Sequence, residues 1–261
     1  MNSGDRRTQG MSRDPGSPNR VQALHRAFGL LELMADGGGE MPLSQLAARS
    51  GLPLPTIYRI IRTLVDSGYV RQLPSRSYAL GPRLIGLGES ASRKLGTWAR
   101  PVLADLVETV GETANMAMLD GDMAVYVAQV PSRHSMRMFT EVGRRVFLHD
   151  TGVGKALLAQ LPPETAREIV LRAGMPAATT RSITDPDVLE KELDRTRSRG
   201  YAIDDAEQET GVRCLAVPVV GAPTLTAISV SGPEGRITSA SIPGVVTHLQ
   251  AAAVRLIQEF A

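Results

Sequence analysis

The sequence predicts an α+β protein: a winged helix-turn-helix, then a linker helix, then a larger domain in which helices pack on an antiparallel sheet. Three observations carry this. Residues 53–78 read PLPTIYRIIRTLVDSGYVRQLPSRSY, an amphipathic basic helix followed by a hairpin. A shorter helix and the turn Gly51-Leu52-Pro53 come directly before it. Downstream, hairpin signals and continuous apolar runs alternate with helical periods instead of forming regular βα units.

In chain order, the N-terminal stretch MNSGDRRTQGMSRDPGSPNR is polar, bears Gly, Pro and Ser, and lacks the apolar core of a signal peptide. Residues 1–18 are expected to be a disordered tail. Val21–Ala35 has apolar residues at 21, 24, 27, 28, 31 and 34 and makes the third helix of a small bundle. Met41-Pro42-Leu43-Ser44 leads into a helix over Gln45–Ser50, with Leu43, Leu46 and Ala47 on its apolar face and Ser44 as the expected N-cap. Gly51 stands where a tight turn between helices needs positive φ.

The next helix, Thr56–Asp66, hides Ile57, Ile60, Ile61, Leu64 and Val65 at i, i+3, i+4, i+7 and i+8. Its other face carries Thr56, Tyr58, Arg59, Arg62 and Thr63, which suits a groove lined with phosphates and base edges. Gly68 is placed for a left-handed cap. Tyr69–Leu73 and Tyr78–Leu80 read as strands joined by Pro74-Ser75-Arg76-Ser77, so Arg76 stands on the wing tip. A bundle with incidental arginines would not be expected to place helix, glycine turn, basic helix and hairpin in this order.

The first domain therefore covers 19–80, and Gly81-Pro82 ends it. A linker over 81–97 contains a helix at Arg83–Lys94 with Leu84, Leu87 and Ala91 on one side, weakened by Gly86 and Gly88. The second domain, 98–261, opens with a helix over Trp98–Val110. Strands are expected at Thr113–Leu119 and Met123–Val130, joined by the hairpin signal Asp120-Gly121-Asp122, and at Met136–Glu141. Helices follow at Gly152–Leu161, Glu164–Arg172 and Asp187–Arg199. Strands follow at Tyr201–Asp204, Cys214–Val219 and Thr224–Val230, and a closing helix at Ile242–Phe260.

Charge divides along the same line. Arg20–Lys94 holds ten Lys/Arg against five Asp/Glu, whereas Leu95–Ala261 holds sixteen against twenty. The basic excess sits with the DNA-reading pattern, as expected of a segment that approaches phosphates. Cys214 is the only cysteine, which excludes an internal disulfide and a cysteine-rich zinc site. No apolar run approaches the ~18–20 residues that span a bilayer, so a cytoplasmic protein without a membrane partner is expected. His25, His134, His149 and His248 show no metal spacing, and no cofactor is expected.

The segments VQALHRAFGLLELMA, LSQLAARSGLPLPTIYRIIRTLVDSGYV and YALG, then GETANMAML, VYVAQVPS, FLHDTGVGKALLAQLP, ITDPDVLEKELDRTRSRGYAIDDAEQETGVRCLAVPV and AISVSGP, resemble the IclR-type bacterial transcriptional regulators in the family's order over roughly residues 21–260. The resemblance implies a winged helix domain, a linker helix and a GAF-like effector domain. It also implies dimers, commonly paired into tetramers, and control of metabolic genes by a small molecule. The chain departs from the family at Leu54-Pro55, where a polar pair such as Lys-Ser is usual. The segment SRHSMRMFTEVGRR resembles the glycerol-operon branch.

Candidate DNA contacts are Arg59 and Arg62, to bases or phosphates, Tyr58 and Thr56, to phosphate or a thymine methyl, Gln45, to phosphate, with Ser44 beside it, and Arg76, from the wing into the minor groove. One winged helix buries little surface, so a dimer on a pseudo-palindromic operator is expected. In the second domain, Thr151–Ala156 opens a helix whose free N–H groups favour a small anion. It is not a phosphate loop, because His149 replaces the first glycine and Ala156 the Ser/Thr. The family likeness puts Met138 and Val146 on the apolar wall of an effector pocket, Gly152 and Val153 on its amide side, and Asp204, Cys214, Ser229 and Ser231 on its polar rim. Ser229 and Ser231, two apart in a strand, share a face. Two ligand classes stay open: keto or aromatic acids, and polyols or their phosphates. A ligand-responsive regulator, acting as a repressor, is the leading reading. An enzyme acting on the small molecule, and a DNA-binding protein with a purely structural dimerisation domain, are the alternatives.

Overall fold

The computed structural model describes residues 21–137 and 141–258. The chain divides into two compact units, Met1–Ser90 and Ala91–Ala261.

Unit 1 begins with α1 (Gln22–Asp36), β1 (Glu40–Met41), α2 (Leu43–Ser50), α3 (Leu54–Asp66), β2 (Val70–Gln72) and β3 (Tyr78–Leu80). Leu30, Met34, Met41, Leu46, Ile57, Ile61, Val70 and Tyr78 form its core, with Ile60, Leu64 and Val65 packed against it. The stripe read from the sequence of α3 is thus the buried one. Gly51 and Gly68 take left-handed φ of 67° and 76° and turn the chain out of α2 and α3.

Three features of this unit differ from expectation. The α2 helix starts at Leu43 behind Pro42, with no side-chain cap, so Ser44 lies in the first turn and is not the N-cap. The wing is three-stranded, in the order β1-β3-β2, because Glu40 and Met41 pair with Ala79 and Tyr78; two residues are too few to show a strand period. Finally, α1 has two apolar rows. Leu30 and Met34 enter the core, while Val21, Leu24 and Phe28 remain exposed.

Helix α4 (Arg83–Leu95), which forms despite its glycines, runs from unit 1 into unit 2 and is followed by a 3-10 turn at Thr97–Ala99. The helix expected from Trp98 begins as α5 (Arg100–Val110), with Pro101 in its first turn where no amide hydrogen is needed. Then come β4 (Thr113–Asp120), β5 (Met123–Val130), β6 (Arg145–Val146), α6 (Gly152–Leu158), α7 (Pro163–Ala173), α8 (Pro186–Arg199), β7 (Ala202–Asp205), β8 (Val212–Pro218), β9 (Thr226–Pro233) and α9 (Ile242–Gln258). The strands make one antiparallel sheet in the order β6-β5-β4-β9-β8-β7. The strand expected at Met136–Glu141 includes residues 138–140, which lie outside the described residues; the strand that pairs with β5 beyond it is β6.

Each sheet face has its own core. On one, Ala114, Met116, Leu215, Val217, Ile228 and Val230 meet Leu103, Leu106, Leu249 and Leu256 of α5 and α9. On the other, Ala117, Tyr126, Ala216 and Ala227 meet Val153, Leu157, Ile169, Leu189 and Leu193 of α6, α7 and α8. A bulge between Met116 and Ala117 on β4 leaves Val127 of β5 without an opposite residue. The second face holds the candidate effector site.

Candidate functional site

In unit 1, α3 presents Tyr58, Arg59, Arg62 and Thr63 to solvent, with Thr56 half-buried. Arg62 Nη1 donates to Tyr58 Oη at 3.4 Å, a long bond one turn back along the helix. Ser44 and Gln45 are exposed in the first turn of α2. Pro53 caps α3 without a side-chain bond and Pro55 lies in its first turn, so Leu54 alone of these three carries an amide hydrogen. Leu54 and Pro55 therefore put no polar side chain at the helix start, and Pro55 contributes no backbone donor there. Arg76 sits on the wing tip with a left-handed φ of 64°.

In unit 2 the sheet register aligns the predicted rim residues. Asp204 is opposite Cys214, Cys214 is opposite Ser231, and Ser231 is opposite Thr113. The next row runs Gln129, Asn115, Ser229 and Ala216. Asn115 Nδ2 reaches Ser229 Oγ at 3.5 Å and Gln129 Nε2 donates to Asn115 Oδ1 at 3.2 Å. Strand parity thus gathers Asp204, Cys214, Ser229 and Ser231 on the face covered by α6. All four are buried.

The start of α6 rests on Cys214. A Cβ on Gly152 would stand 2.8 Å from its Sγ, so only glycine lets the helix approach this closely. Thr151 caps the helix, its Oγ1 accepting from the Gly154 amide at 3.1 Å, while the Gly152 and Val153 amides precede the first intrahelical acceptor. Val146 joins Val153 in the same apolar cluster. Met138 lies outside the described residues.

A buried charged set unforeseen in the sequence surrounds this point. Lys155, fully buried in α6, donates to Glu207 Oε1 at 2.5 Å. Asp204 Oδ1 accepts from the Glu207 amide at 2.7 Å and more weakly from Gln208. It is therefore a turn-maker as well as a rim residue. Between them Ala206 takes a left-handed φ of 59°. Thr179 Oγ1 and Ser182 Oγ donate to the Ala206 and Glu207 carbonyls, holding the segment before α8 over this turn. His149 Nε2 donates to the Pro176 carbonyl at 3.0 Å. Among the described residues, Asp150 Oδ1 and Glu207 Oε2 are buried without a hydrogen-bond partner.

Burial governs the protonation of this set. It raises Asp204 to about 7, against the Glu207 amide and the Lys155 charge. It raises Asp150 to about 6 and Glu207 above the usual range. Burial, then the Asp204 charge, pushes the Cys214 thiol up to about 11 in spite of Ser231 and Ser229. Burial also raises Tyr126 and lowers His149. Cys214 is consequently a thiol at neutral pH, not a nucleophile.

Lys155 and Glu207 lie 52 positions apart and α6 has no polar stripe, so no local signal pointed to the pair. Asn115 meets Ser229 across the β4–β9 pair, 114 positions away, so no local signal pointed to that contact either.

A family model described as the IclR helix-turn-helix domain matches residues 23–74, and one described as bacterial transcriptional regulator IclR C-terminal matches 90–257. The chain is 39% identical over 226 residues to the transcriptional repressor IclR of Escherichia coli, covering 84% of this chain and 82% of that one. It is 36% identical over 247 residues to the acetate operon repressor of Salmonella typhimurium, covering 92% and 89%. An IclR homologue from Microbacterium hydrocarbonoxydans, solved with 4-hydroxybenzoate, is 26% identical with a TM-score of 0.76, covering 89% and 96%. The likeness of Ser132–Arg145 to the glycerol-operon branch finds no support in these relatives. No helix among the described residues is long and apolar enough to cross a membrane. With both domain models matched in order, and with relatives that are regulators and not enzymes, the chain belongs to the IclR family of bacterial transcriptional regulators.

Proposed function

We propose that the chain is a dimeric repressor of a metabolic operon, released from or retained on its operator by a small organic acid. The observation that carries the DNA half is the helix face of α3, where Arg59 and Arg62 stand exposed and free of any carboxylate partner among the described residues. Arg59 and Arg62 read the groove, Tyr58 and Thr56 touch phosphate or a thymine methyl, Ser44 and Gln45 hold phosphates, and Arg76 reaches from the wing. The exposed apolar residues Val21, Leu24 and Phe28 at the start of the chain's first helix, and Ile85 and Leu87 on α4, support self-association. Two copies then read the halves of a pseudo-palindrome.

The effector lies at the start of α6 against the sheet, where Gly152 packs on Cys214, so the helix start moves off the strand to admit it. Gly152 and Val153 amides receive its carboxylate, Ser229, Ser231, Cys214 and Asp204 line the polar side, and Val146 and Met138 form the apolar wall. An acid is favoured over a polyol because Asp204, raised to about 7, is readily neutral and does not repel it. The 4-hydroxybenzoate bound by the Microbacterium homologue, a small acid, supports the same class. The test is a thermal-shift panel of small organic acids and polyols, followed by operator release. An acid should raise the melting temperature of the wild type and do so much less for a Ser229→Ala/Ser231→Ala variant. A shift given only by polyols would transfer the assignment to the other class, and turnover of the ligand would restore the enzyme reading.

A further inference from the structure

Strand β7 has a second face. Ala202 and Asp204 look toward α6, so Ile203 and Asp205 look the other way, as does Arg213 opposite Asp205 on β8. β7 is also the last strand of its sheet. The Ala206 amide bonds the Val212 carbonyl, and in an antiparallel ladder such pairs alternate with pairs whose main-chain groups point away from the partner. Ile203 and Asp205 belong to the second kind, so their amides and carbonyls point to the open edge. Arg181 donates to the Asp205 carbonyl there at 3.4 Å. A cavity of about 310 Å³ lies along this edge, walled by Glu192 of α8 on one side and by Ser239 and Ile242, at the start of α9, on the other.

The wall has two kinds of surface. Ile183, Ile203 and Ile242, all half-buried, make it apolar. Glu192, Asp205 and Glu207 bring carboxylates, against the single guanidinium of Arg213. That guanidinium is committed: Nε and Nη2 bond Asp205, and Nη1 donates to the Ile237 carbonyl at 2.6 Å. Asp205 takes Arg181 as well, and Glu192 takes Arg199 at 2.7 Å. Glu207 differs from both. It is 8% exposed, its Oε1 holds Lys155, and its Oε2 is buried without a hydrogen-bond partner. A buried acceptor left without a donor is costly, and a ligand that brings the donor recovers that cost. An anion would meet carboxylates here and no uncommitted cation. A cationic donor would meet acceptors.

We propose that this cavity is a second small-molecule site, distinct from the pocket at the start of α6, and that it takes a primary ammonium on a short aliphatic body. The isoleucines receive the body. Glu207 and Glu192 receive the head group, with the edge carbonyl of Ile203 as a further acceptor. An apolar wall with a few placed polar groups, at this volume, is what small-molecule sites use at the lower end of their size range. The two sites lie on opposite sides of Glu207, whose Oε1 bonds Lys155 of α6.

The test uses the full-length chain, labelled at its isoleucine methyls and titrated at neutral pH with n-butylammonium, butyrate and 1-butanol. The three probes share one aliphatic body and differ in the head group. Butylammonium should shift the methyl signals of Ile183, Ile203 and Ile242 to saturation and leave those of Ile57 and Ile61, in the core of unit 1, in place. Butyrate and butanol should shift them several-fold less. Ser239→Trp, at an exposed position on the cavity wall, should fill the cavity and weaken butylammonium binding many-fold. Glu192→Gln should weaken it less and narrow the preference for ammonium over alcohol. The remaining isoleucine signals report whether each variant is folded. Equal shifts from all three probes overturn the proposal, as does unchanged butylammonium binding in a folded Ser239→Trp variant. So do unmoved Ile183, Ile203 and Ile242 signals in the wild type at roughly 50 mM butylammonium, where even a site of millimolar Kd is filled.

Discussion

Unit 1 has seven arginines between residues 21 and 90, and none of them forms an ion pair among the described residues; every such pair lies in unit 2. The difference follows from what each unit meets. A surface ion pair contributes only ~0–1 kcal/mol to folding, so unit 1 loses little stability by leaving its guanidiniums free, and it keeps a positive field for phosphates. Pairing them internally would have to be undone on every encounter with a duplex. In unit 2 the reverse holds. Lys155, Glu207 and Asp204 are withdrawn from water, where an unpaired charge is very costly, so each is tied to a partner. Exposed unpaired charge therefore reads as a macromolecular surface, and buried paired charge as the frame of a small-molecule site.

The largest expected effect tests the buried side of this contrast. Lys155→Met leaves Glu207 uncompensated in the interior and should destabilise the chain by about 3–5 kcal/mol, as removal of one partner of a buried pair does. Adding Glu207→Leu to that variant should restore much of the loss. Denaturant unfolding of the three variants measures both. If Lys155→Met unfolds at the wild-type midpoint, the pair does not hold α6 to the turn at Ala206.

The exposed side predicts the opposite split between folding and binding. Arg59→Ala should leave the unfolding midpoint within ~0.5 kcal/mol of wild type, as surface substitutions do. Operator affinity should fall by about 1–3 kcal/mol if Arg59 makes a bidentate base contact. Anisotropy on operator DNA beside a denaturant curve gives both numbers. Wild-type affinity in a folded variant would break the contrast at its first unit, and a large stability loss would mean the guanidinium had a hidden partner.

The same contrast explains what could be read from the sequence. The face of α3 was legible because amphipathic period and charge coincide: Ile57 and Ile61 are buried while Arg59 and Arg62 are exposed. Ser229 and Ser231 were legible by strand parity, which needs no tertiary knowledge. The ion pair of Lys155 and Glu207 was not, since its members meet only when α6 lies across β7 and β8, and α6 itself is buried on every side. The short β1 and the exposed row of α1 escaped for related reasons. One has no period to detect, and the other is an apolar pattern that does not say which of two faces turns inward.

The effect most discriminating for the pocket, and the most gradual, is the pH dependence contributed by Asp204. Its folded-state pKa, raised by burial to about 7, lies above the value near 4 of an unfolded chain. The folded protein therefore holds this proton more tightly. The contribution to stability is full below about pH 4, declines as pH rises through about 7, and is flat beyond, with a slope of up to about 1 kcal/mol per pH unit. All other titrating groups contribute to the raw curve as well. Asp204→Asn removes them from the comparison. Asparagine still accepts from the Glu207 and Gln208 amides but does not titrate, so subtracting its stability–pH curve from the wild-type one isolates a single group. The difference should fall monotonically between pH 5 and 7.5. A rising difference would mean that Asp204 is ionised throughout and stabilised by Lys155, in which case the pocket would repel an acid, and a hydroxyl-bearing ligand would become the better fit.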